Sequence, residues 1–118
     1  MRRVFALIAL VMAGPLAAQD ATLGTGALLR GLDKITGEVT DINLKNGEVV
    51  RMGRILIALG ECRYPAGNPS GEAYAFLAVG EDGKDDPVFT GWMIASSPAL
   101  NAMEHLRYDV WVLRCTTE

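Results

Sequence analysis

The chain predicts an all-β domain: a small antiparallel β-barrel or sandwich of about six strands, with one short helix and one disulfide. Three observations carry this. Short runs with alternating or near-continuous apolar character recur between clusters of Gly, Pro, Asn and Asp. Helical punctuation occurs at one place, where Ser97-Pro98 precedes Ala99 to Glu104. Cys62 and Cys115 are the only two cysteines. Barrel and sandwich remain equally open on this pattern.

The elements follow in order. Arg2 and Arg3 precede an apolar run from Val4 to Gly14, and Pro15-Leu16-Ala17-Ala18 leads out of it. A charged start, a short apolar stretch and a small-residue exit are the layout of a secretory signal peptide. The run is shorter than the ~20 residues that span a bilayer as a helix. Residues 1–18 are therefore expected to be a signal peptide cut after Ala18, with an uncleaved tether as the alternative. Residues 19–31 are small and Gly-rich and read as a flexible lead-in, with Leu28 and Leu29 on the domain edge. Residues 32–118 are expected to be a single β-domain.

Ile35 to Ile42 alternates as a half-exposed strand. Asn46-Gly47 then predicts a hairpin, because both turn residues must take positive φ. The return strand is Glu48 to Met52, with Gly53 marking a bend. Arg54 to Leu59 is nearly continuously apolar, which suits a strand covered on both faces. Arg63 to Gly71 is turn chemistry, with Pro65 and Pro69 lacking backbone donors. Ala73 to Val79 is a further strand, Gly80 to Pro87 an acidic loop, Val88 to Ala95 another strand, and Tyr108 to Cys115 the last.

Composition bounds the function. Removing 18 of the 118 residues leaves 100, the size of one domain. Nine basic residues then face fourteen acidic ones, a net charge of −5. Such a chain has neither the basic footprint of a nucleic-acid binder nor the Lys/Arg cluster that an anionic membrane attracts. Two cysteines in an exported domain predict one disulfide. Two Cys and a single distant His do not make the four-ligand set that zinc needs, and no cofactor is expected.

Specific stretches carry a resemblance: LDKITGEV from Leu32, ECRYP from Glu61 to Pro65, NPSGEAYAFL from Asn68 to Leu77, and VFTGWMIASSPALNAMEHLRYDVWVLRC from Val88 to Cys115. Together they resemble domain-of-unknown-function family 2155 over nearly all of the chain after the leader. Leu106 stands after His105 where Pro would be expected. The resemblance implies an exported, mostly alphaproteobacterial protein, and it transfers no functional residue. Genes of the family often lie beside one for an accessory subunit of respiratory complex I. What that implies is an association with the envelope or a respiratory membrane complex.

Candidate chemistry is sparse. Ser97 (or Ser96), His105 and Asp109 supply the residue types of a nucleophilic set, but there is no G-x-S-x-G elbow and Ser97 is expected to cap a helix. Glu81, Asp82, Asp85 and Asp86 lack the spacing of a calcium loop and read as a solvated loop. Phe89, Trp92, Tyr108 and Trp111 are candidates for a ligand groove or, more simply, for core. Tyr64, Pro65, Pro69, Ser70 and Tyr74 are candidate partner-binding residues, since Tyr buries area at little entropic cost. Ser70-Gly71-Glu72-Ala73-Tyr74 is also similar to the S-G-x-x-Y element that periplasmic lysozyme inhibitors insert into the lysozyme cleft. The expectation is a non-enzymatic periplasmic module that binds an envelope protein or membrane complex. A small hydrolase using His105 and a lysozyme-inhibitor-like protein are the alternatives.

Overall fold

The computed structural model describes residues 20–118, so the expected signal peptide lies outside the described residues. Eight strands are present: β1 (Ala21–Leu23), β2 (Gly26–Asp33), β3 (Val39–Lys45), β4 (Val49–Met52), β5 (Ile55–Pro65), β6 (Tyr74–Glu81), β7 (Phe89–Ile94) and β8 (Tyr108–Thr116). All pairings are antiparallel. One sheet runs β1-β5-β6-β7, with β4 also paired to β5; the other runs β3-β2-β8. The two sheets pack face to face and do not close into a barrel, so of the two expected architectures the fold is the sandwich.

The core lies between the sheets. Ile55, Ile57 and Leu59 from β5 and Ala75, Leu77 and Val79 from β6 are almost wholly removed from solvent. They face Ala27 and Leu29 of β2, Ile42 and Leu44 of β3, and Val110 and Val112 of β8. Burial of a large aliphatic side chain is worth roughly 1.5–3 kcal/mol. Such side chains here sit on strands that alternate inward and outward, which fixes the register.

Several expectations are corrected. From residue 20 onward the expected loose lead-in of residues 19–31 is ordered in strands: Gly26–Asp33 is the central strand of the three-stranded sheet, and Leu29 is fully buried. Small residues are needed there because Met52 packs directly over Gly31, where a β-carbon would lie 2.4 Å from its sulfur. The strand expected at Ile35 to Ile42 begins at Val39, because the Asp33 carboxylate accepts from the amides of Ile35 and Thr36 and holds a turn.

Asn46-Gly47 does form a turn, with Gly47 at φ 87° and Glu48 N–H donating to Lys45 C=O. It does not make a hairpin. The turn carries the chain from β3 in one sheet to β4 in the other. The true two-residue hairpin loop is Gly53-Arg54, between paired Met52 and Ile55. Gly53 has φ 59° there, and the Tyr108 ring packs against it.

No helix forms after Ser97. Residues 98–101 make a turn closed by Leu100 N–H on Ser97 C=O. The Asn101 amide donates to Trp92 C=O and Met103 inserts into the core, so the segment is stretched between two anchors. A helix of six residues has too few internal bonds to resist that pull.

Both cysteines owe their position to a bulge. In β5 the buried series Ile55, Ile57, Leu59 would continue at Glu61, but the register with β6 shifts between Leu59 and Glu61. Gly60 is the extra residue, and burial resumes at Cys62. In β8 the register with β2 shifts opposite Leu28 and Leu29, so Leu113 is extra and burial passes from Val112 to Cys115. The two shifts turn Cys62 and Cys115 inward, where they form the disulfide.

Candidate functional site

His105 is the only histidine, and the fold commits both of its ring nitrogens. Nδ1 accepts from the amides of Arg107 (2.9 Å) and Tyr108 (3.1 Å). Nε2 therefore carries the proton and donates to Glu81 Oε1 at 2.9 Å. That hydrogen bond holds the Glu81 carboxyl below the usual carboxylate range. Neither Ser97 nor Asp109 bonds to the ring, so the set read from sequence is not assembled. Asp109 instead lines a groove with Pro98, Ala102 and Trp111. In the sequence Glu81 is only part of an acidic loop; nothing there links it to a residue twenty-four positions away.

Around this pair lies a wider polar knot. Arg107 makes a forked contact to the Asp33 carboxylate, with its terminal nitrogen at 2.9 Å. The Arg107 guanidinium is the first cause of the lowered Asp33 pKa, assisted by the amides of Thr36 and Ile35. Lys34 Nζ donates to His105 C=O at 2.7 Å, and Arg54 N–H donates to the Tyr108 hydroxyl at 3.2 Å. These bonds stitch residues 105–108 to the ends of β2, β5 and β6. The groups are structural fasteners by their geometry.

A second carboxylate, Glu72, accepts from Ser96 N–H (2.9 Å), from Ala73 N–H (3.2 Å) and from the Ser96 hydroxyl. The Ser96 hydroxyl bond is the main cause of its lowered pKa. Glu72 thereby ties the Ser70-to-Tyr74 stretch to the end of β7. Ala73 is fully buried, and Tyr74 lies within the sheet, paired with Ile94. Only Ser70 of that stretch stands exposed, in the turn closed by Gly71 N–H on Asn68 C=O.

The remaining candidates scatter. Tyr64 and Pro65 belong to β5, which runs further than the expected loop boundary at Arg63, and they pair with Thr22 and Ala21 of β1. A proline is tolerated there because it closes the strand. Pro65 and Tyr74 share a small depression with Asp20 and Ala21, whereas Pro69 and Ser70 lie beside Arg114 and Thr117. Of the aromatics, Tyr108 is core (2% exposed), and Phe89 and Trp111 are partly buried against the core cluster. Trp92 is on the outside at 41% exposure, edge-on to Phe76 with ring centres 5.3 Å apart.

Trp92 belongs to a feature the sequence reading missed. The β5 run was expected to be covered on both faces, but only one is covered. On the outer face of the five-stranded sheet, cross-strand rows place Arg51, Leu56 and Gly80 together, then Val49, Ala58 and Ala78, then Glu61, Phe76 and Trp92. Val49 and Leu56 are exposed. Leu56, Ala58, Ala78 and Gly80 floor a trough of about 420 Å³, walled on one side by the acidic loop from Asp82 to Pro87. The signal was present in the sequence: β5 and β6 are apolar in both phases of their alternation, as a strand buried on both sides would be.

Comparison with known proteins agrees with the extent of this sandwich. A family model described as "Uncharacterized protein conserved in bacteria (DUF2155)" matches residues 27–115, from the central strand β2 to the second cysteine. The chain belongs to the DUF2155 family. A relative of this DUF2155 chain, "Uncharacterized protein RP359" of Rickettsia prowazekii (strain Madrid E), is 33% identical over 94 residues. That match covers 77% of this chain and 61% of the relative, so the chain spans about three fifths of the relative's length. No solved structure matches the DUF2155 chain. Among the described residues no helix is long and apolar enough to cross a membrane, and no group of three His, Cys, Asp or Glu is gathered as for a metal.

Proposed function

We propose that this DUF2155 domain is a non-enzymatic, periplasmic protein-binding module that serves as an accessory part of an envelope complex, a respiratory membrane complex included. The carrying observation is the open outer face of the five-stranded sheet. It keeps Val49, Leu56 and Trp92 in solvent, while the chain's chemically capable groups are engaged in holding the fold. Contiguous apolar surface of this kind marks interaction sites. The Cys62–Cys115 disulfide supports an oxidising compartment. The Arg2-Arg3 start and apolar run of the leader support export.

The test is capture of tagged full-length protein from native membranes and from periplasm in several mild detergents. Co-purification with an envelope complex is expected. Recovery as a free monomer in every fraction overturns the reading.

A further inference from the structure

We propose that the Leu56–Ala58–Ala78–Gly80 trough is the docking site, and that it takes an apolar side chain from a partner segment carrying Lys or Arg beside it. This rests on the protein-binding reading above and names its surface and chemistry.

The floor is small without a packing reason. A β-carbon added at Gly80 would meet nothing within 4 Å, and its backbone has no positive φ that would favour glycine. Glycine inside a strand weakens the strand, and one use for it is to leave room for an approaching group. Ala58 and Ala78 sit side by side in the next row, so the vacancy extends across two strands. Leu56 and Val49 provide apolar flanks at 38% and 58% exposure.

The wall supplies the charge rule. The trough lining carries four carboxylates, Glu81, Asp82, Asp85 and Asp86, against one ammonium, Lys84. Arg51 bonds Asp82 at 2.7 Å, Lys84 lies 4.0 Å from Glu81, and Arg63 pairs with Glu61. Asp85 and Asp86 have no ion-pair partner among the described residues, and both line the trough. An apolar group entering there brings its flanking residues against two free carboxylates. Cationic neighbours are attracted and anionic ones repelled, which sets partner choice and on-rate.

The test uses the full chain and two synthetic peptides, one with paired leucines flanked by lysines and its counterpart flanked by glutamates. Binding is read from Trp92 emission in a Trp111→Phe background and by calorimetry. The lysine peptide is expected to bind, more weakly as salt rises, and the glutamate peptide not. Gly80→Leu, whose β-carbon meets nothing within 4 Å, is expected to fill the trough and weaken binding about tenfold or more, with an unchanged melting temperature. Asp85→Asn with Asp86→Asn should weaken it severalfold and flatten the salt dependence. Equal binding of both peptides, or binding indifferent to Gly80→Leu, overturns the proposal. So does a wild-type dimer that Gly80→Leu dissociates, which would make a second copy the occupant. The same variants go into the envelope capture. A complex retained equally by wild type and Gly80→Leu overturns this site and leaves the protein-binding reading standing. Capture of nothing by wild type removes both.

Discussion

The two ends of the sandwich are closed by different chemistry. At one end a single covalent bond, Cys62–Cys115, ties the late part of β5 to the end of β8. At the other, the Asp33–Arg107 and Glu81–His105 contacts and the Tyr108 hydroxyl tie the start of β8 to the ends of β2, β5 and β6. The strand β8 is thus fastened at both extremities to the opposite sheet as well as to its neighbour β2. The comparison teaches a division of labour. The covalent bond is indifferent to acid and vulnerable to reductant. The polar end is indifferent to reductant and divides its strength among many individually weak, ionisable bonds.

Breaking the covalent end should have the largest effect. The bridge closes a loop of 53 positions, and the chain-entropy estimate for such a loop is about 4 kcal/mol. That is a large share of the ~5–15 kcal/mol that holds a domain of this kind. Cys62→Ala with Cys115→Ala should lower the urea midpoint accordingly. A reductant should lower the wild-type midpoint by a similar amount and leave the double variant unmoved. A wild-type midpoint insensitive to reductant, under conditions where mass measurement shows both thiols free, would show that the polar end alone sets stability.

At the polar end the most sensitive point is the β4–β5 turn beneath Tyr108. Gly53→Ala forces a β-carbon into positive φ and to within 2.2 Å of the Tyr108 hydroxyl. Strain and overpacking together predict a loss of about 2–3 kcal/mol by chemical denaturation. Tyr108→Phe keeps the ring and removes the acceptor for Arg54 N–H, with an expected loss of about 1 kcal/mol. If Tyr108→Phe matched Gly53→Ala, the hydrogen bond rather than the fit of ring on turn would be the main fastener.

The same two ends show what was legible beforehand. Alternation in Ala73 to Val79 and Tyr108 to Cys115 identified strands, because a strand with one face on a core alternates; which face is buried came only with the packing of the two sheets. The cysteine pair was legible from its number together with the expectation of export. Its geometry was not: simple alternation puts Cys62 and Cys115 out of phase with the buried residues before them, and only the bulges at Gly60 and Leu113 restore it. A bulge is set by the partner strand, which sequence alone does not display. For the same reason Asn46-Gly47 named a turn correctly and its strand partners wrongly. The turn is local, whereas the choice of sheet depends on contacts far along the chain. Ser97-Pro98 promised a helix by local chemistry, and the anchors at Asn101 and Met103 overrode it. As for the candidate site, the aromatics and the Pro-rich loop drew notice, while Ala58, Ala78 and Gly80 did not. Small residues carry no chemical label, and their meaning appears only when three of them meet across two strands.

Acid gives the smallest effect and separates the two ends most cleanly. Asp33 is held below its ordinary pKa by Arg107, and Glu81 by His105. A depressed carboxylate contributes stability that is fully present above its unfolded pKa, about 4, and lost as pH falls through its lower folded value. Thermal midpoints should therefore be flat from neutral pH down to about 5 and decline below about 4. Asp33→Asn should start lower at neutral pH and decline less steeply, so that its curve converges on wild type in acid. The cysteine-free variant should instead run parallel to wild type throughout, displaced downward, because its missing bond does not titrate. Added salt should narrow the gap between wild type and Asp33→Asn, since Arg107 is partly exposed and its contact is screened. An Asp33→Asn curve that stays parallel to wild type into acid would move the acid sensitivity away from this knot. The next place to look would be Glu72, whose carboxylate is depressed by Ser96 at the covalent end.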